Sequence, residues 1–191
     1  MKTITELDSN FIPAPPEYPD TVFTSALSEP FTLYGVTAPS GNEGFHRMPC
    51  DIADKVSEGV SQLNYETSGG RLRFMTDSPY VCISVRIKHA GIMAHFAPCG
   101  SYGFDMYERE NGKYSFRGSF LPPIVPTESY CASRAFSDGQ KMRDITIDFP
   151  LYSALYSVSV GLKKGSKLGK APAYAVRKPV VYYGSSITQG A

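Results

Sequence analysis

Tyr80-Val-Cys-Ile-Ser-Val-Arg-Ile-Lys88 is the stretch on which the fold turns. Val81, Ile83, Val85 and Ile87 alternate with Cys82, Ser84, Arg86 and Lys88. Successive side chains of a strand point to opposite faces, so this period of two describes a half-buried strand with its apolar face inward. Upstream, Gly69-Gly70 turns into Arg71-Leu-Arg-Phe-Met-Thr76, which puts Leu72 and Phe74 on one face, and Asp77-Ser78-Pro79 turns again. Downstream, Asn111-Gly112 separates Phe104-Asp-Met-Tyr-Glu-Arg-Glu110 from Lys113-Tyr-Ser-Phe-Arg-Gly-Ser-Phe120. Asn-Gly between alternating runs predicts a hairpin with a type I′ turn, because both turn residues need positive φ. Segments 31–36, 144–149 and 155–162 bring the total to about seven short strands, which predicts an all-β fold, a β-sandwich or jelly roll. Val56, Val60 and Leu63 permit one short helix, weakened by Gly59.

Composition agrees with short strands and turns. The 191 residues include 13 Tyr, 11 Phe, 17 Gly and 15 Pro. The net charge of +1 argues against nucleic acid or a membrane surface as a whole-chain partner. Cys50, Cys82, Cys99 and Cys131 form no C-x-x-C pair, and are expected as free thiols that serve as small packing residues. No His/Asp/Glu cluster has ligand spacing, so neither a metal nor another cofactor is expected. The N-terminus lacks the apolar stretch of a signal peptide, and no apolar run nears the length of a membrane span. A cytoplasmic location is therefore the expectation, with a secreted or periplasmic one left open.

Three regions follow. Residues 1–30 carry Pro13, Pro15, Pro16, Pro19 and Pro30 and read as an arm. Residues 31–175 form the sandwich. Residues 176–191 are a linker followed by Val180-Val-Tyr-Tyr-Gly-Ser-Ser-Ile-Thr-Gln-Gly-Ala191, an apolar run ending in a serine-bearing turn with a helix about to begin. Lys163-Lys-Gly-Ser-Lys-Leu-Gly-Lys170 reads as a solvated loop or, alternatively, an anion-binding tip.

Ser186 is the candidate nucleophile. A serine hydroxyl needs a histidine base, a group to orient that base, and donors for the oxyanion. A strand-to-helix turn supplies unpaired N–H groups, and Gly184 and Gly190 permit close approach. The alternative is an ordinary Gly-Ser turn. The pattern is not the G-x-S-x-G elbow, because Thr188 stands where the second glycine would be.

Tyr183-Gly-Ser-Ser-Ile-Thr-Gln-Gly190 resembles the first signature block of the SGNH (GDSL-like) hydrolases. The resemblance implies Ser186 as nucleophile, with Gly184 and Ser185 in the oxyanion turn and Ser185 in place of the usual Asp. Gly103-Phe-Asp-Met-Tyr107 resembles the G-x-D-L-Y signature of a β-sandwich domain found in front of such hydrolase domains, with Met106 in place of Leu. Together they imply a two-domain esterase or lipase-like hydrolase acting on an acyl ester, with a carbohydrate acetyl ester as one subclass. The partner implied for the sandwich is its own downstream catalytic domain, an α/β domain of which residues 176–191 would be the truncated start: a linker, the first, buried strand and the nucleophile turn.

The family's base is a histidine three residues after an aspartate. His46, His89 and His95 follow Glu43, Arg86 and Ile92 at that spacing, so no Asp-x-x-His occurs. Triad members act as a unit, and this chain alone is expected to be close to inactive as a hydrolase. His95, in an apolar setting, is either a packing histidine or a residue at the mouth of a site. Asp105 is either a turn or backbone acceptor holding 101–104, or a carboxylate at a junction or ligand site. Tyr107, on the same face as Asp105, is either an aromatic platform for a sugar or interface cover. Rival readings of the whole chain are a carbohydrate-binding module and a domain that forms a homodimer.

Overall fold

The structure is a computed structural model that describes residues 12–39, 43–176 and 178–190. Residues 1–11 of the expected arm lie outside the described residues, as do Arg177 and Ala191. The fold is all-β. Among the described residues ten strands form two antiparallel sheets: β1 (Thr21–Ser25), β2 (Thr32–Tyr34), β3 (Arg71–Thr76), β4 (Tyr80–Ala90), β5 (Phe104–Glu110), β6 (Lys113–Phe120), β7 (Ser129–Ala135), β8 (Arg143–Asp148), β9 (Ser153–Lys163) and β10 (Leu168–Gly169). One sheet runs β1-β9-β4-β7, and the other runs β10-β3-β8-β5-β6 with β2 also on β3.

The alternation of β4 becomes the core face. Val81, Ile83, Val85 and Ile87 stand opposite Leu162, Val160, Val158 and Leu155 of β9. Register shifts around Ile87 let both strands keep their apolar side inward. From the second sheet come Leu72, Phe74, Phe104, Met106, Phe120, Ile145 and Ile147, all buried in the same cluster. At β5 this face continues to Glu108, whose carboxylate is buried and pairs with Arg117 at 2.6 Å and Arg143 at 3.7 Å. A charge on the core side of a strand survives only where paired, and this one closes the end of the core.

The Asn111-Gly112 turn joins β5 to β6, with φ of 53° and 79° as a type I′ turn requires.

Several expectations change. The segment read as an arm holds β1, which pairs with β9 from Thr21 to Ser25. β7 has few large apolar residues because it is an edge strand with only Tyr130 buried among its seven residues. The lysine-rich tip is no open loop: Lys167 N–H bonds Asp77 Oδ1 at 2.7 Å, and Leu168 pairs with Thr76 in β10. The single helix expected near 56–63 is two short helices, α1 (Cys50–Val56) and α2 (Glu58–Leu63), split where Ser57 caps α2 by accepting from Val60 N–H at 3.2 Å. Val56 and Leu63 lie outside, at 60% and 50% exposure. Two further helices are α3 (Pro98–Tyr102) and α4 (Ser186–Gln189).

The cysteines are free: Cys82 is buried, Cys50 is half-buried, and Cys99 and Cys131 are exposed. Among the described residues no helix is long and apolar enough to cross a membrane.

Candidate functional site

The G-x-D-x-Y motif spans the entry to β5, and each position has a physical task. A Cβ on Gly103 would stand 2.4 Å from Cys99 O, so only glycine allows α3 to turn so closely into the strand. Met106 is fully buried between the sheets. Asp105 and Tyr107 face away from the core. Asp105 accepts a hydrogen bond from Ser119 Oγ at 2.5 Å across the β5–β6 pair, and does not hold residues 101–104. Tyr107 packs on Phe116 at a centroid distance of 5.5 Å.

From the motif, contacts lead to the serine turn. Helix α3 is tied to the turn before β9: Tyr152 N–H bonds Ser101 O at 3.1 Å, and Ser153 Oγ donates to Ser101 O at 3.0 Å. Tyr102 OH donates to Pro123 O at 2.7 Å, and Tyr130 OH donates to Tyr102 O at 2.8 Å. Phe96 stands edge-on to Tyr152 at 5.4 Å. Ser186 opens α4, with Ser185 as N-cap residue and Gly190, at φ 119°, ending it. A Cβ on Gly184 would meet Thr188 Oγ1 at 2.2 Å, so the turn tightens there only around glycine.

This turn rests on the sandwich. Gln189 Nε2 donates to Leu151 O at 2.7 Å and to a carboxylate oxygen of Glu66, and Tyr152 OH donates to Ser186 O at 3.4 Å. Burial, with Glu66 adding to it, raises the Tyr152 pKa, so this hydroxyl stays a donor. The apolar run before the turn departs from the expected buried strand. Val180, Val181, Tyr182 and Tyr183 are 73%, 82%, 79% and 86% exposed and pair with no strand. An apolar run becomes a strand only where a ladder partner takes its backbone groups, and the described residues offer none there.

No histidine completes a catalytic pair here. His46 is buried with Nδ1 3.3 Å from Gly44 O, while His89 and His95 are exposed. His95 is thus not a packing histidine. Its turn, residues 91–96, lies next to Tyr152 through Gly91 and Phe96, on the side of the sandwich that carries Ser186. Among the described residues no histidine hydrogen-bonds Ser186, and no group of three or more His, Cys, Asp or Glu side chains could hold a metal.

A second cluster escaped the sequence reading. The outer face of the six-stranded sheet gathers Arg71 from β3, Thr146 and Asp148 from β8, Tyr107 from β5 and Tyr114 from β6 around a cleft of about 140 Å³. Burial raises the pKa of the Asp148 carboxyl, Arg71 opposes the rise, and Asp105 adds to it. The signal lay in Asp144-Ile-Thr-Ile-Asp148: once Ile145 and Ile147 are inward, three polar side chains share the other face.

The chain belongs to the family described as GxDLY, the N-terminus of Esterase_SGNH_hydro-type, whose model matches residues 21–168. Two solved structures share the fold. One, from Bacteroides ovatus ATCC 8483 and described as a GDSL-like lipase, has a TM-score of 0.68 at 19% identity over 80% of this chain. The other, the salicylyl-acyltransferase SsfX3 from a tetracycline biosynthetic pathway, has a TM-score of 0.57 at 16% identity over 81% of this chain. This chain spans 43% of the length of each. No curated protein matches it.

Proposed function

We propose that this chain is the N-terminal part of an SGNH-type ester hydrolase, in which the sandwich buttresses the nucleophile turn and shapes the substrate cleft. Ser186 is the nucleophile. Its Oγ attacks the acyl carbonyl and passes its proton to a histidine of the catalytic domain, which an aspartate three residues earlier orients. The Ser186 N–H, with a glycine and an asparagine of that domain, holds the oxyanion. The histidine returns the proton to the leaving alcohol, and water then releases the acid from the acyl-serine. A carbohydrate acetyl ester is one substrate subclass within this reading.

The observation that carries the reading is the docking of the serine turn on the sandwich through Gln189, Leu151, Glu66 and Tyr152. Those contacts hold the Ser186 turn against the loop side of the domain, where His95 and Ile92 stand exposed, and so support the reading.

The test has two arms. In the protein carrying both domains, Ser186→Ala lowers p-nitrophenyl acetate hydrolysis by about 10⁴-fold or more. In this chain by itself, a fluorophosphonate does not label Ser186, because no base is present. A Ser186→Ala enzyme with undiminished turnover sinks the assignment. Labelling of the isolated chain would mean that a base comes from within the sandwich or from a second copy.

A further inference from the structure

The outer face of the six-stranded sheet carries a cleft that the catalytic reading does not use. Its floor is polar and incompletely bonded. Thr146 is 3% exposed, yet its hydroxyl has no hydrogen-bond partner among the described residues, and the same holds for Asp148 Oδ1. A buried hydroxyl without a partner costs stability, so its presence in the middle of a strand calls for a reason. Asp148 is not free to satisfy itself elsewhere. Its neighbour Asp105 is engaged with Ser119, and Arg71 Nε stands 3.8 Å from Asp148 Oδ1, too far for a good hydrogen bond.

The walls are aromatic. Tyr107 and Tyr114 line the cleft, and Phe116, packed against Tyr107, is 58% exposed. Beyond Arg73 the same face continues with Tyr174, which lies 4.4 Å under the Arg73 guanidinium and edge-on to Tyr34 at 4.9 Å. Burial draws the Arg71 pKa down, but Tyr174 and Asp148 outweigh it, so the guanidinium remains a firm cation.

These features select the ligand. An anion would meet Asp105 and Asp148, a cation would meet Arg71, and an apolar molecule would seal the Thr146 and Asp148 oxygens away from any partner. A sugar ring meets each group with its complement. Its C–H face lies on tyrosine, while adjacent hydroxyls donate to Asp148 and Thr146 and accept from Arg71. Clefts for drug-sized ligands run to about 300 Å³ and above, so one of 140 Å³ takes a single ring, with the rest of a chain lying outside. We infer that the cleft of Arg71, Tyr107, Tyr114, Thr146 and Asp148 is a binding site for one residue of a neutral carbohydrate chain. Its lining shares no residue with the contacts that seat the Ser186 turn, and it does not depend on the esterase reading.

Calorimetric titration of this chain with xylohexaose, cellohexaose and mannohexaose tests the site, with oligogalacturonate as the anionic control. One neutral oligosaccharide should bind saturably. Thr146→Val, which keeps the side-chain shape, and Tyr107→Ala should each weaken it about tenfold or more. Tyr182→Ala, on the exposed run before Ser186, should leave binding unchanged. Thr146→Val should not lower the melting temperature, since it removes only an unpaired hydroxyl, so its loss of binding cannot be put down to unfolding. The inference fails if no neutral oligosaccharide binds, if the anionic one is preferred, or if Thr146→Val and Tyr107→Ala bind as the parent chain does. Esterase activity enters none of these measurements, so failure here and failure of the esterase reading are separate outcomes.

Discussion

Two runs of this chain look alike as sequence and end in opposite surroundings. Val81 to Ile87 alternates apolar residues and becomes the centre of a sheet, flanked by β9 and β7, with Val81, Ile83 and Val85 fully buried. Val180-Val-Tyr-Tyr183 is equally apolar, yet it lies open. Hydrophobicity proposes a strand in both places. Only the first finds backbone partners on each side and a second sheet across the core. The difference shows that apolar character is a demand for burial, and that neighbours decide whether the demand is met.

The largest effect should come from cutting into the first run. Ile83→Ala leaves a cavity in a close-packed core and should cost about 2–5 kcal/mol, measured by urea unfolding. Val181→Ala should stay within about 0.5 kcal/mol. Equal losses would mean that the second run is packed as the first is.

The same contrast between covered and open repeats among the ion pairs. Arg73 is fully buried and holds both oxygens of Asp144 at 2.9 Å, with Pro172 O taking a further bond at 2.8 Å. Asp144→Ala strands that guanidinium and should cost about 3 kcal/mol or more in the same unfolding assay. The Arg71–Asp148 pair, with side chains 42% and 40% exposed, is the open counterpart. Arg71→Ala should cost about 1 kcal/mol or less.

A smaller effect, and one of direction only, concerns pH. Folding raises the Asp148 pKa, chiefly by burial. Between its unfolded value, about 3.9, and its higher folded value, the native state holds more protons than the unfolded one. The contribution of Asp148 to stability therefore falls as pH rises through that window. Asp148→Asn should raise the melting temperature at neutral pH, and the gain should fade as pH drops below the unfolded value. Asp138 runs the other way. Hydrogen bonds from Arg143 and Lys141 depress its pKa despite some opposing burial, so it stabilises at neutral pH and loses that contribution as acid protonates it. Asp138→Asn should accordingly lower the neutral-pH melting temperature. Matching signs for the two variants would overturn this account.

Much of the framework was legible because it is written in local patterns. Period two in β3 and β4 told which side chains face inward, and Asn111-Gly112 announced its hairpin through backbone geometry that those two residues favour. The signature around Gly103 led to the family. β1 and β7 were missed because edge strands carry weak apolar patterns. Sequence alone left two alternatives open for Asp105 and for His95, because burial at one position depends on what distant segments place beside it.

Residue order alone was enough for the all-β class, the inward faces and the serine turn, since each depends on neighbours in sequence. Only the tertiary structure could leave Val180–Tyr183 uncovered, seat Gln189 on Leu151 and Glu66, and collect Arg71, Tyr107, Tyr114, Thr146 and Asp148 into one cleft. Those arrangements join segments tens of residues apart through strand order and register. Strand order and register are set by packing two sheets at once, and no short stretch of sequence contains them.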